Sequence, residues 1–411
     1  MAIYYMLFIW LLACSLFFYK IPERQRKALE FLCAVIPTTL IAALRDTSIG
    51  TDTASYVYAT IDLKNLGYAQ FKAKGIYSNF EPGFMLLMQI CAFFKDPAHA
   101  LIIISSLIIT FIPFVVIYLI CERPSMVYCV YYLTTQYFMS LTAMRQCLSI
   151  AFIFLAIYAL YKTGNSWLAV GIVLVAACFH TTALITIPIF ALSKVKPSVK
   201  VTTIILAVSA ALIVLAGNLL PVIFSLIPKY RGYVTSAAGA EFLKPGRVMP
   251  PLQVAFFGIL LVHFLSGDGR FTSTYEKRLT GRVSTCAFSH GQTAQHRSQD
   301  SDGRIARDQV YLLKNMAVYG SCLGILVGVT VLFVNVFYRF MYEGLPFITI
   351  IMPAAIMYTR ETRISRITRV LCTVALVLFF IAFLFVPQKW FGISPYRLYY
   401  PHLISNYHPT Y

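Results

Sequence analysis

The chain has 411 residues, 59% of them hydrophobic and only 12% charged, with a formal net charge of +18. A soluble domain cannot bury that much apolar surface, and the short alternating strands of an outer-membrane barrel are absent, so composition points to an all-α polytopic membrane protein. The basic residues gather in short loops, Lys20–Lys27, Lys194–Lys200, Arg270–Lys314 and Arg360–Arg369. That placement follows the positive-inside rule and anionic lipid headgroups, and it excludes nucleic acid as a partner.

Apolar runs predict about 12 spans, near 2–19, 29–44, 98–120, 126–141, 146–161, 166–180, 181–193, 201–220, 251–265, 315–336, 341–358 and 370–386. The first run lacks a basic leader and a small-residue cleavage site, so it reads as a retained span rather than a signal peptide. Residues 82–94 are too short for an untilted crossing and suggest a re-entrant segment. Residues 166–193 are too long for one ordinary helix, and Pro188 marks a candidate break. With 82–94 re-entrant and 166–193 crossing twice, every strongly basic loop faces the cytoplasm and both termini lie outside. Making 82–94 a crossing and 166–193 a single span satisfies the same loops. The first scheme is preferred because it leaves Arg45, Arg145, Arg339 and Arg397 on the outer side, against the usual charge rule.

Three regions follow: an N-terminal membrane region, 1–265, with an outer-face loop at 45–81; a flexible polar loop, 266–314, read as cytoplasmic; and a C-terminal membrane region and tail, 315–411. The polar loop is rich in Ser, Thr, Arg, Gln and Gly, and its His290 and His296 lack metal-site spacing. Gly320, Gly324 and Gly328 repeat every four residues, a small-residue face for close helix packing. The ten cysteines are scattered without metal or disulfide spacing and read as free thiols.

Ionisable groups at a membrane edge carry a cost, and several clusters stand out. Ala42–Tyr56 contains Arg45, Asp46 and Asp52 around a turn at Gly50. Asp52 and Tyr56 share a face if the chain is helical from Thr53, and Asp52 or Thr53 is also placed to cap that helix. The segment is either an interfacial headgroup contact or a cationic phosphate site beside carboxylates able to act as a base. Glu81, before Pro82 and Gly83, is either a helix cap or a carboxylate held at membrane depth. Arg145 and Gln146 open a span, where the arginine either snorkels or holds anionic oxygens. His180 is either a packing hydrogen-bonder or a proton or phosphate contact. Arg339 and Glu343 are spaced for an intrahelical pair. Pro395-Tyr396-Arg397 reads as a rigid surface anchor. Nucleotide-loop, GxSxG, HExxH and DxD-type motifs are absent, so no metal or other cofactor is expected and an activated donor must carry its own leaving group.

In order, LRD, GTDT and Tyr56, EPGF at 81–84, MRQCLSIAFIF from Met144, AACFHTTAL from Ala176, YRF with Tyr342, and the late Pro395-Tyr396 resemble the EpsG/Wzy-type polysaccharide polymerases over most of the chain. The resemblance is weakest across 266–314. It implies a GT-C-like, multi-pass glycosyltransferase at the outer face of a bacterial inner membrane. Its substrates would be oligosaccharide units on undecaprenyl pyrophosphate, joined into exopolysaccharide or O-antigen. By position, Arg45, Arg145 and Arg339 would hold pyrophosphate oxygens, with Tyr56, Gln146 and Glu343 beside the substrate. Asp46, Asp52 or Glu81 would be the base and His180 a phosphate contact. A flippase and a chain-length regulator are the implied partners. The rival readings are an O-antigen-ligase-like transferase, a lipid-linked oligosaccharide flippase, whose expected internal repeat is not evident, and a non-catalytic scaffold.

Overall fold

The computed structural model describes residues 2–73, 75, 80–211, 249–266, 295–332, 335–358, 362–385 and 392–399. Among them the regular structure is helical, with one isolated antiparallel bridge between Arg45 and Leu398. Among the described residues, four helices are long and apolar enough to cross a membrane: Ala2–Lys20, Pro97–Ile120, Met144–Thr163 and Gln309–Val331. The chain divides into two compact units, Met1–Leu155 with Leu174–Thr181 and Phe380–Tyr411, and Ala156–Val173 with Thr182–Phe379.

The first unit holds α1 (Ala2–Phe17), α2 (Glu23–Ala43), α3 (Thr53–Ala73), α4 (Pro82–Ala92), α5 (Pro97–Ile120), α6 (Pro124–Leu133), α7 (Gln136–Ser140) and the start of α8 (Met144–Thr163). Helix α2 packs on α5, α1 on α6, and α3 on both α4 and α5. Start signals are local: Pro82, Pro97 and Pro124 each stand in a first turn, and the Asp96 carboxylate accepts from the His99 amide. With 24 residues, α5 is about 36 Å long and exceeds a bilayer core of about 30 Å. With 11 residues, α4 reaches only about half that depth. The run at 126–141, expected as one span, is two helices broken at Thr135, whose φ of 63° is left-handed.

At the end of α2 that follows the first basic loop, Glu30 is fully buried. Its Oε2 accepts from the Ser125 amide at 3.1 Å, at the start of α6, and its Oε1 lies 3.8 Å from Arg26 Nε. A carboxylate at a helix N-terminus meets unsatisfied N–H groups and the positive end of the dipole, which is how its charge is tolerated there. Arg123 donates to the Ser15 carbonyl beside it, tying α1 to the same point.

The second unit takes the rest of α8, most of α9 (Ser166–Ala177), a 3-10 turn (Thr181–Thr186), α10 (Ile187–Leu192), α11 (Val199–Ala211), α12 (Met249–Ser266), α13 (Gln295–Val331), α14 (Phe340–Tyr358) and most of α15 (Arg363–Phe385). The break expected at Pro188 lies earlier in the chain, between Ala177 and Thr181. Pro188 sits in the first turn of α10, where its missing N–H leaves no helical bond unmade. Helix α13 begins at Gln295, inside the stretch read from sequence as an irregular loop. Residues 267–294 of that loop, with His290, lie outside the described residues, as do residues 212–220 of the run at 201–220. The described cysteines are free, as expected.

The small-residue face of α13 works as a packing surface. A Cβ added at Gly324 would stand 2.4 Å from the Phe257 ring of α12, and one at Gly320 would stand 3.1 Å from Phe347 Cβ of α14. The Asn315 amide donates to the Ser193 carbonyl at 2.8 Å, and Tyr319 OH to the Val195 carbonyl at 3.0 Å. Along α15, Ile364, Ile367, Val370, Leu371, Val374, Val377 and Leu378 are exposed, a continuous apolar stripe suited to lipid.

The contrast between two helix glycines gives a test of this packing. Gly324→Ala is expected to destabilise the protein by about 1–3 kcal/mol through overpacking. Gly171→Ala, where an added Cβ meets nothing within 4 Å, is expected to be neutral or stabilising by up to about 1 kcal/mol. Thermal unfolding of both variants in detergent micelles checks the difference in sign.

Candidate functional site

Between α2 and α3 the chain makes a compact turn. The Asp46 Oδ1 accepts from the Ser48 amide at 2.9 Å, closing an Asx turn, and the Ile49 amide bonds back to the Asp46 carbonyl at 3.0 Å. Gly50 then takes a φ of 93°, and any Cβ there would lie 2.0 Å from the Leu141 carbonyl oxygen. Only glycine allows that approach. Two further contacts fix the docking: Thr53 Oγ1 donates to the Leu141 carbonyl at 3.1 Å, and Thr51 Oγ1 meets Thr142 Oγ1 at 2.7 Å. The turn is thereby seated on Leu141 and Thr142, which lead into α8 three to four positions before Arg145.

Arg145 and Gln146 stand in the first turn of α8. The Arg145 Nη1 donates to Glu81 Oε2 at 2.7 Å, with the two side chains 16% and 5% exposed. Its guanidinium also lies over the rings of Phe80, at 4.7 Å, and Tyr56, at 5.4 Å. Phe84 completes an edge-to-face aromatic cluster with both. Glu81 stands at the N-cap position of α4 with no side-chain capping bond, and its carboxylate is engaged by Arg145.

The turn carrying His180 is brought to the same neighbourhood through its backbone. The Gly83 amide donates to the Cys178 carbonyl at 2.7 Å, and a Cβ at Gly83 would stand 2.8 Å from that oxygen. Ser149 of α8 donates to the His180 carbonyl at 3.4 Å, and Phe152 stacks on Phe179 at 5.1 Å. Gln146 is buried at the start of α8, and Asp52 is half-buried just before α3, where its carbonyl accepts from the Tyr56 amide.

Arg45 has a different setting. It is 1% exposed, so the headgroup reading of Arg45 and Asp46 does not hold. Its Nη1 donates to the Ala42 carbonyl and, at 2.8 Å, to Ser106 Oγ of α5. Tyr4 of α1, Tyr137 of α7, Cys147 of α8 and Tyr396 surround it. Among the described residues no carboxylate lies within ion-pair distance, and Nε has no hydrogen-bond partner. Burial lowers its pKa to about 10, which leaves it charged at neutral pH.

The segment around Tyr396 is more than a surface anchor. The Asp46 amide bonds to the Arg397 carbonyl at 2.8 Å and the Tyr399 amide to the Leu44 carbonyl at 2.9 Å, framing the Arg45–Leu398 bridge. Gly50 N–H donates to the Gly392 carbonyl at 2.9 Å. Sequence reading singled out neither Ser106, Phe80, Tyr4 nor Tyr137, which look like ordinary span residues. The late Pro395-Tyr396 was the only signal pointing toward the tail.

In the second unit, Arg339 ends a 3-10 turn (Asn335–Arg339) and Glu343 lies in the first turn of α14. Glu343 is fully buried and its Oε1 accepts from Thr182 Oγ1. The 3-10 turn that ends at Arg339 runs directly into α14, so Arg339 and Glu343 stand in adjoining elements.

A family model for EpsG matches residues 28–398 of the 411. The chain belongs to the EpsG family. Curated proteins yield no match, and neither do solved structures. Membership makes this a membrane protein of polysaccharide biosynthesis. The EpsG match contains the whole Gly50 turn, the Arg145–Glu81 pair, the His180 turn and the tail as far as Leu398.

The ion pair is open to direct measurement. A double-mutant cycle on Glu81→Gln and Arg145→Gln, read by thermal unfolding, is expected to give a coupling of about 1–3 kcal/mol. An exposed pair would give about 0.2–1 kcal/mol, so a value in that lower range would show the pair to be dispensable.

Proposed function

We propose that this EpsG-family chain is a polysaccharide polymerase that joins oligosaccharide repeat units carried on undecaprenyl pyrophosphate, at the outer face of a bacterial inner membrane. The observation that carries this reading is the Arg145–Glu81 pair, set against the Tyr56 and Phe80 rings at the seat of the Gly50 turn. A guanidinium offers paired N–H donors to phosphate oxygens, and aromatic faces pack against sugar rings. In the reaction a hydroxyl of the acceptor sugar attacks the anomeric carbon of the growing chain. The bond from that carbon to the pyrophosphate oxygen breaks, and the pyrophosphate leaves with the electron pair. Arg145, Arg45 and Arg339 are the cations proposed to stabilise the developing negative charge, in place of a metal. Gln146 and His180 are proposed to contact the phosphates, and Tyr56 and Glu343 to line the substrate path.

A carboxylate takes the proton of the attacking hydroxyl. Of the three candidates, Asp46 holds the Ser48 amide and Glu81 holds Arg145. An ion-paired carboxylate is a weaker base than a solvated one. Asp52, half-buried just before α3 with its carboxylate accepting from Thr51 Oγ1 at 3.4 Å, is the candidate proposed for the first test.

The proposed topology keeps about 12 spans, a GT-C-like organisation and α4 as a re-entrant helix. The 11 residues of α4, reaching about half the depth of a bilayer core, support re-entry. Glu81 before it pairs with Arg145, beside Thr142 and Thr51, and Asp96 after it accepts from Tyr399 OH, whose amide bonds to Leu44. A flippase and a chain-length regulator are the proposed partners.

Purified protein given synthetic undecaprenyl-pyrophosphate repeat units is expected to release a ladder of longer glycans. Transfer to a different acceptor would instead identify a ligase, and translocation in vesicles without new bonds a flippase. Asp52→Asn is expected to lower the rate roughly 100-fold or more with little change in substrate binding. An unchanged rate would remove Asp52 from the mechanism.

A further inference from the structure

The Arg45 guanidinium is enclosed on nearly every side by helices: Tyr4 from α1, Ser106 from α5, Tyr137 from α7 and Cys147 from α8. Moving any of these groups far means unpacking a helix from its neighbours. The remaining cover, Tyr396, belongs to an irregular segment, Gly392–Tyr399. Its Pro395, Arg397 and Leu398 are exposed, and hydrogen bonds tie it to the turn and its surroundings. Three backbone hydrogen bonds tie it to Leu44, Asp46 and Gly50. Three phenol bonds add to them: Tyr396 OH to the Ile41 carbonyl at 3.0 Å, Tyr399 OH to Asp96 Oδ2 at 2.6 Å, and Tyr4 OH to the Ile393 carbonyl at 3.2 Å. The Tyr399 ring also stacks on His99 at 4.0 Å.

A buried cation without a carboxylate is an unfavourable arrangement that an anion would relieve. Such an anion can reach Arg45 only after its cover moves. An irregular segment with exposed residues and solvent-accessible backbone opens at lower cost than a helix packed among its neighbours.

We infer that Gly392–Tyr399 is a strap that opens to admit the diphosphate of a lipid-linked substrate to Arg45 and closes over the empty site. The inference rests on the proposed polymerase reading, in that it takes Arg45 as a diphosphate site. It adds a gating element, with Tyr396 and Tyr399 as positioning residues that set how often the site is open. When a closed state dominates, apparent affinity is the intrinsic affinity reduced by the open fraction. Weakening the latch therefore tightens binding, whereas weakening a purely structural clip leaves affinity unchanged or lowers it.

The test is binding of farnesyl pyrophosphate, with farnesol as the uncharged control, to the purified full chain by calorimetry. Tyr396→Phe and Tyr399→Phe keep the rings and remove one hydrogen bond each, so each is expected to bind farnesyl pyrophosphate roughly fivefold tighter than wild type. Arg45→Gln in either background is expected to abolish the gain. Unchanged or weaker binding in both tyrosine variants overturns the strap. Hydrogen exchange on the unmodified protein gives a second readout that needs no variant. The amides of Asp46, Gly50 and Tyr399 are expected to lose protection together when farnesyl pyrophosphate is added, and unaltered protection counts against the proposal. If Arg45→Gln binds farnesyl pyrophosphate as well as wild type, Arg45 is not a diphosphate site and the strap falls with it. If binding depends on Arg45 while the strap variants and the amides do not respond, the site stands and only the gating is lost.

Discussion

The first unit depends on one close approach, the Gly50 turn pressed against the carbonyl of Leu141. The φ of 93° and the 2.0 Å that would separate a Cβ from that oxygen leave no side chain possible. Because the turn is seated there, Thr51 and Thr53 reach Thr142 and Leu141, and α3 starts beside the first turn of α8. Tyr56, one turn into α3, then faces Arg145, and Arg145 faces Glu81 at the entrance to α4. Residues distributed over a hundred positions of sequence become neighbours through one glycine.

Two arginines flank this turn, and the protein accommodates their charge in opposite ways. Arg145 has a carboxylate at 2.7 Å and two aromatic faces, so its charge is balanced locally. At low dielectric, removing one partner of such a pair is strongly destabilising because the other charge is left buried. Arg45 has a hydroxyl and a carbonyl, which are neutral acceptors, and it lies in a cage of phenols. Neutral hydrogen bonds offset only part of the desolvation of a cation. A group whose burial is incompletely compensated persists when the surrounding packing holds it or when function requires it.

How much of this was legible in sequence follows from the range over which each signal acts. Apolar runs are local, and they located most of the described helices to within a few residues, with Pro82 marking the start of α4. The four-residue glycine repeat is also local, and two of its members touch neighbouring helices as expected. Breaks were harder. Thr135 adopts a left-handed φ that its residue type does not announce, and Pro188 was misleading because a first-turn proline is compatible with the helix it begins. Pairings between elements were out of reach: 64 residues separate Glu81 from Arg145, and no periodicity links them. The family motifs singled out residues without saying which would be paired and which buried alone. That distinction is made by tertiary contacts from Ser106, Phe80 and the tail, none of which carries a pattern of its own.

The placement of glycines beside the charged groups has a common physical reason. Irregular backbone buried inside the protein leaves N–H and C=O groups that water does not reach, and each must find a partner there. In helices the partner is four residues away; at a break it must come from another segment, and the backbones have to touch. The Gly83 amide meets the Cys178 carbonyl at 2.7 Å, and the Gly50 amide meets the Gly392 carbonyl at 2.9 Å. Both glycines lie where a Cβ would collide with a carbonyl oxygen of a neighbouring segment. The same breaks deliver Glu81, His180 and the Asp46–Asp52 turn, because a side chain projects from a helix end into a space that a continuous helix would fill. Satisfying the backbone and assembling the charges are thus one structural problem, and EPG, GTDT and the tail around Gly392 are its three local solutions.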